Sequence, residues 1–161
     1  MTYQWWTFVH VALAFVFVTA HGVSVVVAFR LRREREPVRV LTLVQLSGAS
    51  VSAMYVGLLG LTAAGVVLGF LGKWWSYVWI WAAIAALVVT IVAMYAIATP
   101  YYRKIRTVAG ALAGGSKAIS PEQFAALLRS PRLFVISAIG IVGLGFIVWL
   151  MVMQPHPFGQ L

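Results

Sequence analysis

Apolar residues fill this chain in long runs, without the strict alternation of a half-buried strand or the one-sided stripe of a soluble helix. Four runs carry no charged side chain: Trp5–Phe29, Val40–Leu71, Tyr77–Thr99 and Leu133–Met153. Each reaches the roughly 20 residues that a helix needs to cross a bilayer. The second exceeds that length and is expected to tilt or to project beyond the membrane. The pattern therefore predicts an all-α fold, an integral membrane antiparallel four-helix transmembrane bundle. It forms one transmembrane domain over 1–161, with helices at about 5–29, 40–71, 77–99 and 133–153. The first run begins close to Met1 with no positive charge before it, and exceeds the apolar core of a usual signal peptide, so it is expected to persist as a helix.

The connections carry the remaining signals. Arg30-Leu31-Arg32-Arg33-Glu34-Arg35-Glu36-Pro37 separates the first two runs. Pro37 suits the first turn of helix two. Arg32 and Glu36 form an i,i+4 pair if helix one continues past the membrane surface. Thr99-Pro100 is expected to end helix three, and the Gly- and Ala-rich stretch from Ala109 to Ser116 to be mobile. Ser120-Pro121-Glu122-Gln123 has the form of an N-cap, a proline at N1 and a capping box. It opens a short amphipathic helix at about 121–130, with Phe124, Leu127 and Leu128 on one face. That helix is expected to lie on the membrane surface or to dock under the bundle.

Charge sets the orientation. The chain has 12 Lys and Arg against 3 acidic residues, a net charge of +9. Eleven of the twelve basic residues fall in the first and third connections, and only Lys73 falls in the second. The positive-inside rule places those two connections in the cytoplasm and both termini outside, in a bacterial cytoplasmic (inner) membrane. Trp5, Trp6, Trp74, Trp75, Trp79, Trp81 and Trp149 then gather toward the outer side, as an aromatic belt would. The basic residues form no aromatic-interleaved stripe, so the expected partner is the lipid bilayer and not nucleic acid.

Composition removes several chemistries. There is no cysteine, hence no disulfide, thiolate metal site, iron–sulfur ligation or thiol catalysis. Asp and Glu are missing from the four runs, against a proton-coupled multidrug exporter, where a buried carboxylate does the exchange. A ridge of small residues marks helix two: Ala49, Ala53, Gly57, Gly60, Ala64, Gly65 and Gly69. Ser137, Gly140 and Gly143 do the same for helix four. Small residues allow close helix approach in lipid. The Gly65-x-x-x-Gly69 pair also suits a homo-oligomer face.

His10 and His21 are the chemistry-bearing residues of the first run. An ionisable ring within a membrane span is a functional-site hypothesis by default. The eleven-residue spacing is three turns plus about 20°, so both rings leave one helix face about 16 Å apart along the axis. Thr7, Ala14, Phe17, Ser24 and Ala28 share that face, which is expected to turn inward, and Gly22 leaves space beside His21. Three readings stand. Imidazole is an axial ligand of haem iron, and His10 and His21 are then ligands to separate haem b groups, since one iron cannot take both. Met94, at about the depth of His21, is a candidate second ligand. Alternatively, Met151-x-Met153-x-x-His156 offers two thioethers and an imidazole, a soft set suited to Cu(I). Thirdly, each ring hydrogen-bonds a neighbouring helix and serves packing alone.

The motifs Trp5-Trp6-Thr7-Phe8-Val9-His10, Ala20-His21-Gly22, Phe29-Arg30, Leu46-Ser47-Gly48 and Gly72-Lys73-Trp74-Trp75 through Trp79-Ile80-Trp81 resemble those of an uncharacterised bacterial four-helix integral membrane family, a domain of unknown function. The chain is more distantly similar to the haem-b membrane protoporphyrinogen oxidases and to copper-resistance D membrane proteins. The resemblance implies that His10 matches the early first-helix histidine of the haem oxidases. Trp79-Ile80-Trp81-Ala82 lacks the lysine that the oxidases carry early in helix three. The expected function is haem b binding in electron transfer or porphyrin chemistry. The alternatives are a non-catalytic accessory or assembly subunit of a larger respiratory or photosynthetic membrane complex, and copper handling.

Overall fold

A computed structural model describes residues 2–117 and 119–155. These are all-α, with no sheet among them: α1 (Thr2–Leu31), α2 (Pro37–Leu71), α3 (Val78–Ala113), α4 (Pro121–Leu128) and α5 (Arg132–Met153), with a 3₁₀ turn at Trp74–Ser76. Four apolar helical stretches are long enough to span a membrane, α4 and α5 together making the fourth. Their outward faces are as apolar as their inward ones. Val56 is 71%, Leu59 72%, Phe15 69% and Val152 72% exposed. In water each such side chain would cost on the order of 25 cal/mol per Å² left uncovered, so the surface matches a hydrocarbon surround.

The helices associate as two pairs. α1 packs most extensively on α2, and α3 on α5, while α2 meets α3 less and α1 meets α5 less again. Glycine makes the first pair close. A Cβ on Gly57 would lie 3.4 Å from the Phe17 backbone nitrogen, one on Gly60 would crowd the Leu13 side chain, and one on Gly65 would lie 3.1 Å from the His10 ring. Ser24 and Ser50 hydroxyls meet at 2.7 Å further along. Contacts thus advance along α1 as they retreat along α2, and Gly57, Gly60 and Gly65 of the small-residue ridge read from sequence lie in that seam, whereas Ala49 and Ala53 are exposed and Gly69 faces Trp75.

The two ends of the molecule are built differently. Around Trp74–Ser76, aromatic rings cluster: Phe70–Trp75 at 5.4 Å, Trp74–Trp79 at 5.7 Å and Trp75–Trp81 at 5.7 Å. Trp79 is only 3% exposed, so it packs inside and is not part of a lipid-facing belt, whereas Trp5, Trp81 and Trp149 are exposed. At the opposite end the basic connections surround a dense hydrophobic plug. Leu31, Val40, Tyr101, Ile105, Leu128 and Leu133 are almost completely buried there.

That plug overturns one boundary. Helix three does not end at Thr99–Pro100; α3 runs through Pro100 to Ala113, including five of the eight residues of the stretch expected to be mobile. Proline removes one backbone hydrogen bond and crowds the preceding turn. Tertiary packing compensates, because the continuation buries Tyr101, Ile105, Val108 and Ala109, and the Tyr101 hydroxyl donates to the Leu127 carbonyl at 2.7 Å. α4 docks on the same surface through Phe124 and Leu128. Its start is the expected capping box, with Gln123 N–H donating to Ser120 Oγ at 3.3 Å and Ser120 N–H to Gln123 Oε1 at 3.0 Å.

The first connection also differs. α1 stops at Leu31, so Arg32 and Glu36 are not one helical turn apart. Glu36, just before α2, instead pairs with Arg39 in its first turn at 2.7 Å. Pro37 occupies the first turn of α2.

Candidate functional site

Between the two helix pairs lies a cleft of about 390 Å³. Binding pockets for small organic molecules start near this size. Its walls are mostly aliphatic, from α1, α2, α3 and α5. A few polar groups interrupt them: His21 and Ser24 of α1, Ser47 of α2, Thr90 of α3 and Ser137 of α5. At the end nearer the plug the lining becomes Tyr102, Arg103 and Arg106. The cleft is therefore amphipathic, with a long apolar body and two guanidinium groups at one end.

His21 is the ionisable group buried among the lining residues. The side chain is 8% exposed, and its Nε2 is buried with no hydrogen-bond partner. A polar atom left unpaired in an apolar interior costs about 1–3 kcal/mol, and such exceptions among buried groups call for a cause. The Cε1–Nε2 end of the ring packs directly on Gly140 of α5, where a Cβ would collide with both atoms. Gly22, expected to make room for the ring, meets nothing within 4 Å. The space comes from the opposite helix, since a helical side chain lies over residues of its partner and not over its own next residue.

His10 has a different role. Its Nδ1 lies 3.0 Å from the Leu61 carbonyl of α2 and donates to it. The ring fits over Gly65 and does not line the cleft. This is the interhelical packing bond of the third reading, and the two histidines are not neighbours in one site.

Of the other candidates, Met94 does line the cleft with His21, as does Met54. Met151 is half-buried and Met153 is 63% exposed near the end of α5. His156 lies outside the described residues. Among the described residues there is no group of three or more His, Cys, Asp or Glu side chains able to hold a metal ion.

Sequence reasoning took Arg103 and Arg106 for topogenic charges only. Their i,i+3 spacing just after Tyr102 was the available signal. It was hidden by the expectation that Pro100 ends the helix and so takes these residues off the wall of the bundle. Gly140 was marked as a packing residue, with nothing to connect it to His21.

A scan against protein-family models matched none, and searches of curated proteins and of solved structures found no match either.

Proposed function

We propose that this chain is a multi-pass protein of the bacterial cytoplasmic membrane that holds haem b in the cleft, with His21 as its ligand. The observation that carries this reading is the buried, unpartnered Nε2 of His21, a residue that lines a mostly apolar cleft. A neutral imidazole nitrogen with no other partner would be a suitable ligand for haem iron, and an intramembrane ionisable group is by default a functional-site hypothesis.

The rest of the lining suits the same molecule. The aliphatic walls match a macrocycle, and Arg103 and Arg106 offer planar, charge-assisted donors for two carboxylates. Met94 supplies a thioether on α3, the helix that also carries those arginines. When bound, haem would supply one-electron chemistry; the protein's part is to hold, orient and keep water from it. Because Nε2 faces Gly140, ligation requires the ring or α5 to move. Glycine at that position leaves the ring freedom that a larger residue would deny.

In this reading the helices run antiparallel, with both termini outside and the plug end in the cytoplasm. The two arginine-rich connections support that orientation, since excess Lys and Arg is retained on the cytoplasmic side. Arg103 and Arg106 would then lie toward the cytoplasmic mouth of the cleft.

The test is a visible absorption spectrum of the detergent-solubilised protein, produced with ample haem. A Soret band is expected in the parent chain and in His10→Ala, and a much weaker one in His21→Ala. Absence of the band in the parent, or its persistence at full intensity in His21→Ala, would refute the reading.

A further inference from the structure

Outside the cleft, a second concave site sits where α1 ends and α5 begins. Phe29, Arg32, Arg33, Arg35, Arg129 and Phe134 line it. Three of its arginines come from the α1–α2 connection and the fourth follows α4, so the two connections converge on it. We propose that this site binds the phosphate of an anionic glycerophospholipid at the membrane surface.

The first support is an excess of positive charge. Among the described residues the ion pair present is Arg39–Glu36, and neither residue lines this site. Glu34 is close in sequence, but its Oε1 accepts the backbone N–H groups of Arg35 at 2.9 Å and Glu36 at 3.1 Å. Those bonds, with the nearby Arg39 and Arg35 charges, hold its carboxyl below the usual carboxylate range. Its ionised form is thus engaged by the loop's own backbone, and no salt bridge ties it to the four arginines.

The second support is that two of the guanidinium groups are held in place. Arg32 donates to the Ser130 carbonyl at 2.8 Å, and its guanidinium carbon lies 4.3 Å from the centre of the Phe134 ring. Arg35 donates to the carbonyls of Glu34 and Arg32. A guanidinium has five N–H donors, so each retains free donors after these contacts. Arginines fixed by carbonyls and an aromatic face lose less freedom when they grip an anion, and their fork matches phosphate oxygens.

The third support separates a lipid from a soluble phosphate. Phe29 and Phe134 meet edge to face at 5.5 Å and form an apolar floor beside the charges. Both remain open, at 44% and 49% exposed, at the ends of apolar spans. Free phosphate has no use for that surface, whereas acyl chains next to a headgroup cover it. Basic pockets at the membrane surface recognise anionic headgroups on this principle.

The test compares purified protein in nanodiscs or micelles containing phosphatidylglycerol with protein in phosphatidylcholine alone, reading lipid retention by native mass spectrometry. Wild type is expected to favour phosphatidylglycerol about tenfold, given the contribution of a few surface arginines. Arg33→Gln with Arg35→Gln, and separately Arg129→Gln, should bring the preference down several-fold. Lys104→Gln with Lys117→Gln removes equal charge elsewhere and should leave it unchanged. A third arm adds inorganic phosphate at millimolar concentration, which should not displace the lipid. No preference in wild type, an equal loss in the lysine control, or displacement by inorganic phosphate would each overturn the assignment. Arg32 is left intact because its bond to Ser130 also joins the two connections.

Discussion

The contact between Gly140 and His21 makes a demanding prediction, since one methyl group should reveal it. In Gly140→Ala the new Cβ would collide with Cε1 and Nε2 of the ring. His21 is 8% exposed, so the ring must turn into the cleft or α5 must shift away. Overpacking of this kind costs about 1–3 kcal/mol. Alanine also has the higher helix propensity, by about 0.8–1 kcal/mol in an aqueous helix interior. The net expectation for Gly140→Ala is a destabilisation of roughly 0–2 kcal/mol, too small to interpret alone.

Gly145 on the same helix supplies the reference. It is exposed, and a Cβ there would meet nothing within 4 Å. Gly145→Ala therefore reports propensity without a clash, and the difference between the two variants isolates the His21 contact at about 1–3 kcal/mol. The assay is reversible unfolding in mixed SDS and dodecylmaltoside micelles, followed by tryptophan fluorescence. Adding His21→Ala should remove most of the difference, because the colliding atoms are gone. Equal effects of Gly140→Ala and Gly145→Ala, within about 0.5 kcal/mol, would refute the packing described.

Three further outcomes are expected. In the plug, Tyr101→Phe should lower stability by about 1 kcal/mol through loss of its bond to Leu127, whereas Leu128→Ala, fully buried, should lower it by about 2–5 kcal/mol; thermal unfolding in detergent ranks the two. His10→Ala should cost about 0.6–2 kcal/mol in the micelle assay, because it breaks the interhelical bond to Leu61. Because the chain lacks cysteine, Gln4→Cys should react with a membrane-impermeant maleimide in whole cells and Glu122→Cys only after permeabilisation; the reverse pattern would invert the proposed orientation.

The legible part of this fold was the part governed by transfer from water to lipid. Four charge-free runs near the length of a bilayer stand out whatever their neighbours do, and the structure returns them as four long apolar helical stretches. Local chemistry was legible too: the Ser120–Gln123 capping box and Pro37 at the start of α2 depend on adjacent residues alone. Pro100 shows where this stops. Its local cost argues for a helix end, but the burial of Tyr101, Ile105 and Val108 among residues of α1, α2, α4 and α5 outweighs it, and that burial depends on residues remote in sequence.

The histidines divide along the same line. Their shared helix face was calculable from spacing, yet what each ring meets is a property of α2 and α5. His10 reaches a backbone carbonyl of α2, an acceptor invisible in any sequence because every residue has one. His21 reaches the bare backbone of Gly140, where there is no side-chain partner. Two equivalent-looking residues thus differ because one neighbouring helix presents an acceptor and the other presents an absence. The first arrangement satisfies the ring and accounts for it as packing. The second leaves a nitrogen unpaired beside an apolar cleft with arginines at its end, and so gives His21 rather than His10 the stronger claim to chemistry.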